Sequence, residues 1–304
     1  MSLVCAGLSD IGRCRSENQD HFIVARLRNS MLIDETNVVG DENGHWWSDV
    51  EGHLLMVADG MGGHAGGAEA SQLAIDAAAT YVLNSLPWFF QLSAACETDV
   101  LHELKRTLEH SQQELIKRAE SEPVLHEMGT TLTMAYVLGA TMYVAHVGDS
   151  RCYLYRDGTL VQLTRDHTWA QSMVERGLLT QAQAAISPLG RVLWNIIGGT
   201  RHRELDPEVY KCSLKKDDTI LLCSDGLPID VPSTTIAEIL GEDRQPTDLC
   251  RRLINQPLSA GGSDNITVIV AHVADSPAYQ STNGALSQAD STADCNRLAD
   301  TTPD

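Results

Sequence analysis

Four aspartates stand where apolar, β-branched runs stop. Leu54-Leu55-Met56-Val57-Ala58 leads into Asp59-Gly60, Tyr143-Val144-Ala145-His146-Val147-Gly148 into Asp149-Ser150-Arg151, and Ile220-Leu221-Leu222-Cys223-Ser224 into Asp225-Gly226. Asp264-Asn265 directly precede Ile266-Thr267-Val268-Ile269-Val270. A carboxylate at the end of a buried strand is costly unless it is paired or bound to a cation. Only Asp149 has a basic residue close by in sequence, Arg151. Taken singly, each site also reads as a turn, since Asp bonds its own backbone and Gly accepts positive φ. Four of them on strongly apolar strands point to carboxylates gathered on hard divalent cations with oxygen ligands, Mg²⁺ or Mn²⁺. Zinc is disfavoured, because the sequence has no H-E-x-x-H and no Cys/His cluster.

The glycine run Gly60-Met61-Gly62-Gly63-His64-Ala65-Gly66-Gly67 follows a strand and opens a helix, so Gly60-x-Gly62-x-x-Ala65 fits a dinucleotide fingerprint. The fit is weak. A second parallel strand ending in an acid about 20 residues on is missing, and Asp59 puts a negative charge where a pyrophosphate would lie. No G-K-[ST] completes a phosphate-binding loop, no Cys stands six positions before an Arg, and no pair of alternating aspartates follows a strand. Among phosphoryl-transfer chemistries this leaves metal-activated water without a covalent intermediate.

Short apolar strands are expected over His53–Ala58, Thr130–Val137, Thr141–Val147, Arg151–Tyr155, Leu160–Leu163, Thr219–Cys223 and Ile266–Val273. Asp157-Gly158 and Gly139 mark hairpins, and adjacent hairpins mean antiparallel sheets. Helical spacing runs from Ala70 to Val82 and from Leu101 to Ala119, the second with Thr98 as its N-cap. Shorter helices are expected near Trp169–Arg176, Thr234–Leu240 and Asp248–Asn255. The pattern suggests helices covering antiparallel sheets.

The chain of 304 residues carries 22 Lys+Arg against 41 Asp+Glu, a formal net charge of -19, which disfavours nucleic acid and anionic membrane as partners. No run reaches transmembrane length and no signal peptide is evident, so the reading is cytoplasmic. The 8 cysteines include no C-x-x-C pair and read as reduced thiols, several within apolar runs. From about Asp275 onward large apolar residues are nearly absent, so residues 275–304 are expected to be a flexible polar tail.

Six motifs in order, Arg15…Asn18-Gln19-Asp20, Val57-Ala58-Asp59-Gly60-Met61-Gly62-Gly63-His64, Gly129-Thr130-Thr131, Val147-Gly148-Asp149-Ser150-Arg151, Ser224-Asp225-Gly226 and Gly262-Ser263-Asp264-Asn265, resemble one family closely. It is the metal-dependent protein serine/threonine phosphatase family, the type 2C phosphatases, in its bacterial form. The resemblance spans about Leu3 to Val273 and implies an α+β fold, with two antiparallel β-sheets packed face to face and helices on both outer sides. It further implies a phosphatase domain over residues 1–274, with a flap over 168–203. Carried over by position, Asp59 bridges two metal ions, Asp225 and Asp264 complete the first, and Asp20 with the Gly60 carbonyl holds the second. Asp149 with Asp225 marks a third, looser metal, and Arg15 binds the substrate phosphate. The mechanism so implied uses two cations about 3.5–4 Å apart to activate a bridging water for in-line attack on phosphoserine or phosphothreonine.

This sequence departs from the family pattern in places. Gln19 stands where some members have Glu, and Met61 where eukaryotic members carry a His proposed as general acid. His64 is the nearest substitute, either as a catalytic acid or as a residue that orders the glycine loop. Pro228 follows Asp225-Gly226-Leu227. Trp169, Met173, Trp194 and Ile197 are expected as flap core or as a surface that meets substrate, and Asp34–Asp49 is an insertion with no role assigned. The expected partners are phosphorylated proteins, including a serine/threonine kinase or its targets. A non-catalytic binder of phosphoproteins is the competing class; the intact aspartates argue against it.

Overall fold

The computed structural model describes residues 2–32, 45–62, 65–85, 97–199 and 204–274. Within this range one sheet has the order β1 (Ser2–Asp10), β12 (Ile266–Ala274), β11 (Thr219–Cys223), β7 (Arg151–Arg156) and β8 (Thr159–Gln162). The second runs β10 (Glu208–Ser213), β6 (Thr141–Val147), β5 (Leu132–Leu138), β3 (His45–Met61), β4 (Gly129–Thr130) and β9 (Ile197–Gly198), with β2 (Asp20–Leu32) also paired to β3. Every pairing is antiparallel.

Both faces of both sheets are covered, which explains why the strands read as unbroken apolar runs instead of alternating ones. On β3, Leu55 and Val57 point between the sheets, where they join Ala135, Val144, Cys152, Ile220, Leu222 and Ile269. Leu54, Met56 and Ala58 point the other way, against Ala70, Ala74 and Ala78 of α1 (Ala65–Ser85) and Leu104, Leu108 and Leu115 of α2 (Glu97–Ser121). The far face of the first sheet presents Leu221, Cys223, Val268 and Val270 to α5 (Ser233–Leu240) and α6 (Pro246–Ala260). The α+β sandwich expected from the sequence is therefore the observed architecture. Among the described residues no helix is long and apolar enough to cross a membrane.

The differences from the expected elements are local. The run from Thr130 is two strands, because Thr131 turns out of register to bond the Asp59 carbonyl. Helix α2 already includes Thr98, so Thr98 is not its N-cap. Strands β1, β2 and β10 lack the short apolar signature and were not expected. The helix expected near Trp169–Arg176 is present as α3 (Trp169–Glu175), and a further short helix, α4 (Gln181–Ala185), follows it. The hairpin turns are as read: Asp157 and Gly158 have φ of 50° and 78°, and Gly139 has φ of 60°. The expected tail, 275–304, and most of the 34–49 insertion lie outside the described residues, as does His64. Cys152, Cys212, Cys223 and Cys250 are buried, unbridged thiols, and burial pushes the Cys250 thiol up to about 11.

Candidate active site

Backbone pairing brings the aspartates to one edge of the sandwich. β2 and β3 place Asp20 directly opposite Asp59. The Asp59 N–H donates to Thr131 Oγ1 at 2.9 Å, and its carbonyl accepts from Thr131 N–H at 2.9 Å and from Thr130 Oγ1 at 2.8 Å. Thr131 Oγ1 also meets Ser150 Oγ at 2.7 Å, which ties this strand end to the residue after Asp149. Ser224 precedes Asp225; its hydroxyl donates to Asp20 Oδ2 at 2.7 Å and accepts Thr267 N–H at 3.0 Å. Asp264 Oδ1 accepts Asn265 N–H at 2.9 Å, and Oδ2 accepts Arg15 Nη2 at 2.7 Å.

Arg15, Asp59, Gly60, Asp149, Asp225 and Asp264 all line one cavity of about 600 Å³. Asp20 does not line it. It sits in the wall behind Asp59, 4% exposed. The basic neighbour of Asp149 is committed elsewhere: Arg151 makes a two-pronged pair with Asp166, at 2.9 and 2.6 Å. Asp264 instead finds its cation across the fold, in Arg15.

Burial pushes the Asp20 carboxyl up to about 7 and Asp225 up to about 6, with neighbouring carboxylates adding to both. Asp59 is raised well above the usual range by burial and then by Asp20 and Asp225, and Asp149 by burial and then by Asp225 and Asp166. Asp59 and Asp225 line the same cavity. Asp20 Oδ1 and Asp225 Oδ1 are buried without a hydrogen-bond partner. Among the described residues no three His, Cys, Asp or Glu side chains close into a metal-binding group; the carboxylates share a cavity and push on one another. Crowded acids, orphaned buried oxygens and an all-oxygen donor set fit hard divalent cations, which would relieve the repulsion and satisfy those oxygens.

Asn265 is a positioning residue that the motif reading quoted without a role. Its Oδ1 accepts Gln19 N–H at 2.9 Å, and its Nδ2 donates to Ile11 O at 2.9 Å and Glu17 O at 3.0 Å. One buried amide thus holds the loop that carries Arg15. Asn265→Ala should cost about 1–2 kcal/mol, because three part-buried hydrogen bonds to the backbone of Ile11, Glu17 and Gln19 are lost. A urea midpoint matching the unsubstituted protein would contradict this account of the loop.

Arg191, Val192, Leu193 and Ile196, from the described part of the 168–203 stretch, line the cavity. Trp194 lies against His167 with ring centroids 5.0 Å apart, and Ile197 is fully buried beneath the α1–α2 layer. Trp169 and Trp194 both border a second cleft of about 470 Å³ next to the first. The dinucleotide alternative fails here, since β3 has antiparallel neighbours and α1 leads into another helix, not a parallel strand.

Comparison with known proteins agrees with this geometry. The family described as Protein phosphatase 2C matches residues 35–253. The serine/threonine protein phosphatase PstP of Mycobacterium tuberculosis is 38% identical over 222 residues, covering 73% of this chain and 40% of that protein. The chain therefore spans well under half the length of this curated relative. The serine/threonine phosphatase stp of Listeria monocytogenes is 35% identical over 217 residues, 71% of this chain and 83% of that protein. The crystal structure of M. tuberculosis PstP superposes with a TM-score of 0.71 at 33% identity, covering 90% of this chain and 99% of that one. A PstP catalytic domain in complex with two manganese ions superposes with a TM-score of 0.68 at 33% identity, covering 90% of this chain and 100% of that one.

Proposed function

The chain belongs to the protein phosphatase 2C family, and on that premise we propose that it is a metal-dependent phosphatase acting on phosphoserine and phosphothreonine in proteins. The observation that carries this reading is the meeting of Asp59, Asp149, Asp225 and Asp264 with Arg15 on one cavity. Residues 1–274 form the phosphatase domain, and its partners are phosphoproteins, including a serine/threonine kinase or its targets, in the cytoplasm.

Asp59, Asp225 and Asp264 would hold one Mn²⁺ or Mg²⁺, and Asp59 with Asp20 and the Gly60 carbonyl a second. Asp149 with Asp225 would hold a third. When bound, such ions supply Lewis acidity and a water deprotonated near neutral pH. The chain's own contributions are orientation and charge. Ser224 fixes one Asp20 oxygen and leaves the other free to ligate. Thr130 and Thr131 clamp the backbone on either side of the Asp59 side chain. Arg15, oriented by Asp264, presents its planar fork to the phosphoryl oxygens.

The test is hydrolysis of p-nitrophenyl phosphate and a phosphothreonine peptide with Mn²⁺, and its loss with EDTA. Turnover unchanged in EDTA would overturn the proposal. A stability measurement adds an independent check. Asp20 and Asp225 have folded pKa values, about 7 and about 6, above their unfolded ones. The stability they contribute is therefore complete below the unfolded carboxylate range and lost as pH rises through 6 to 7. Bound cations would reverse that loss, so the rise in Tm on adding Mn²⁺ should be larger at pH 7.5 than at pH 5.5. An equal rise at both would show that these carboxylates do not take the ion.

A further inference from the structure

His167 lies outside the six motifs and is fully buried, one residue before the 168–203 stretch. Its ring packs against two others, with centroids 4.8 Å from the His146 ring of β6 and 5.0 Å from the Trp194 ring. It meets Gly148 at two points. His167 N–H donates to Gly148 O at 2.7 Å, and Gly148 N–H donates to His167 Nδ1 at 3.1 Å. Gly148 is the residue that leads into Asp149.

Nδ1 of this ring faces donors. Besides Gly148 N–H, the Asn195 amide nitrogen Nδ2 lies 3.0 Å from it. The Asn195 amide is held that way round, since its Nδ2 donates to Asp206 O at 2.6 Å and its Oδ1 accepts Asp206 N–H at 3.3 Å. Nδ1 is therefore the bare nitrogen, and the ring proton sits on Nε2. Among the described residues Nε2 is buried without a hydrogen-bond partner, and Glu208 Oε2 at 3.8 Å is too far to be one. An apolar side chain would fill this space without burying an unpaired N–H. What the imidazole adds is the lone pair that serves Gly148.

That service matters because of where Gly148 stands. Its φ is 111°, and a Cβ there would lie 2.5 Å from Thr131 Cβ and Cγ2, so no side chain at this position can hold the turn. After Asp149 the chain is fixed by threonines: Ser150 Oγ meets Thr131 Oγ1 at 2.7 Å, and Ser150 O accepts Thr133 Oγ1 at 3.0 Å. Before Asp149 it is fixed by His167. Without Nδ1 the Gly148 N–H would be buried with no acceptor, and a glycine peptide so released has wide freedom to turn. Asp149 would turn with it.

We propose that His167 is a positioning residue of the site: its bare Nδ1 fixes the Gly148 peptide and so sets the Asp149 carboxylate for a divalent cation shared with Asp225. The cation's part in turnover rests on the phosphatase reading. His167 touches neither substrate nor metal and acts through the backbone. It belongs with the groups behind metal ligands whose loss costs about 10–100-fold in metal affinity.

The experiment titrates Mn²⁺ into the metal-free protein by calorimetry and identifies the Asp149 site as the binding phase that Asp149→Ala removes. His167→Leu, which has no acceptor, should weaken that phase by about tenfold or more and leave the tighter phases within about twofold. His167→Asn places Oδ1 where Nδ1 stood and should restore it to within about threefold, whereas His167→Gln carries its amide one carbon too far and should not. The contrast between Asn and Gln decides the matter even if His167→Leu fails to fold. A residue that only filled space would lower Tm in these variants and leave every Mn²⁺ phase unchanged, and that result would overturn the proposal. A ¹⁵N spectrum of the unsubstituted protein with the proton on Nδ1 would overturn it too, as would the absence of any Mn²⁺ phase that depends on Asp149. If the protein shows no turnover of a phosphothreonine peptide, the phosphatase reading fails, while the calorimetry still decides the role of His167.

Discussion

Asp59→Asn is expected to abolish turnover, by at least about a thousandfold at saturating Mn²⁺, while leaving the protein folded. The substitution keeps the shape of the side chain and every backbone bond at this position: those to Thr130 and Thr131 are made by the Asp59 main chain, not its carboxylate. What it removes is a charge placed opposite Asp20 in the β2–β3 pair, on the cavity that Asp225 also lines. Burial and those neighbours hold the Asp59 carboxyl well above its usual range, so its ionised form opposes folding when no cation is present. The EDTA-treated variant should therefore melt at a temperature equal to or above that of the EDTA-treated parent at pH 8. Activity and metal-free stability would move in opposite directions. A merely structural aspartate would lose both together. Activity above about a tenth of the parent's would remove Asp59 from the centre of the chemistry.

Gly60→Ala is the second large expectation, and it acts through sterics. A Cβ built at Gly60 would lie 2.0 Å from the Gly67 carbonyl oxygen and 2.9 Å from that of Gln19. Both obstacles are backbone, one at the start of α1 and the other in the loop before Asp20. Neither can rotate aside as a side chain would. Accommodating one methyl means moving the helix or moving the loop, and either displaces Asp20 from Asp59. The cost should be about 3 kcal/mol or more in denaturant unfolding, accompanied by weakened Mn²⁺ binding. Gly158→Ala provides the contrast. Gly158 has φ of 78° but nothing within 4 Å of its built Cβ, so only conformational strain of about 1 kcal/mol is expected. Equal losses for the two variants would show that close approach at Gly60 is not what the site depends on.

Much of this arrangement could be read before any coordinates, for a definite physical reason. Strands buried on both faces leave long apolar runs, and an aspartate ending such a run is conspicuous, so β3, β5, β6, β7, β11 and β12 and their terminal acids stood out. Strands β1 and β2 are half-buried and mixed in composition, as in Ser2–Asp10, and carry no such contrast. Asp20 was accordingly found only through the family motif. The partners of the acids were the least legible part. Adjacency suggested Arg151 for Asp149, yet Arg151 pairs with Asp166, and Asp264 draws on Arg15, 249 residues away. Sequence spacing shows which residues share an element but not which elements will face one another.

The stitch between the first and last strands has a consequence for how the protein comes into being. β1 lies against β12 over its whole length, and the loop after β1 is sewn to Asn265 just before β12. During translation the arginine loop emerges early, and the amide that seats it emerges some 250 residues later. A nascent chain can fold its helices and most of its second sheet while still on the ribosome, but it holds no assembled centre until Ile266–Ala274 has left the exit tunnel. The site can therefore close only after Ile266–Ala274 has been made, so a product terminated before that segment is expected to lack it.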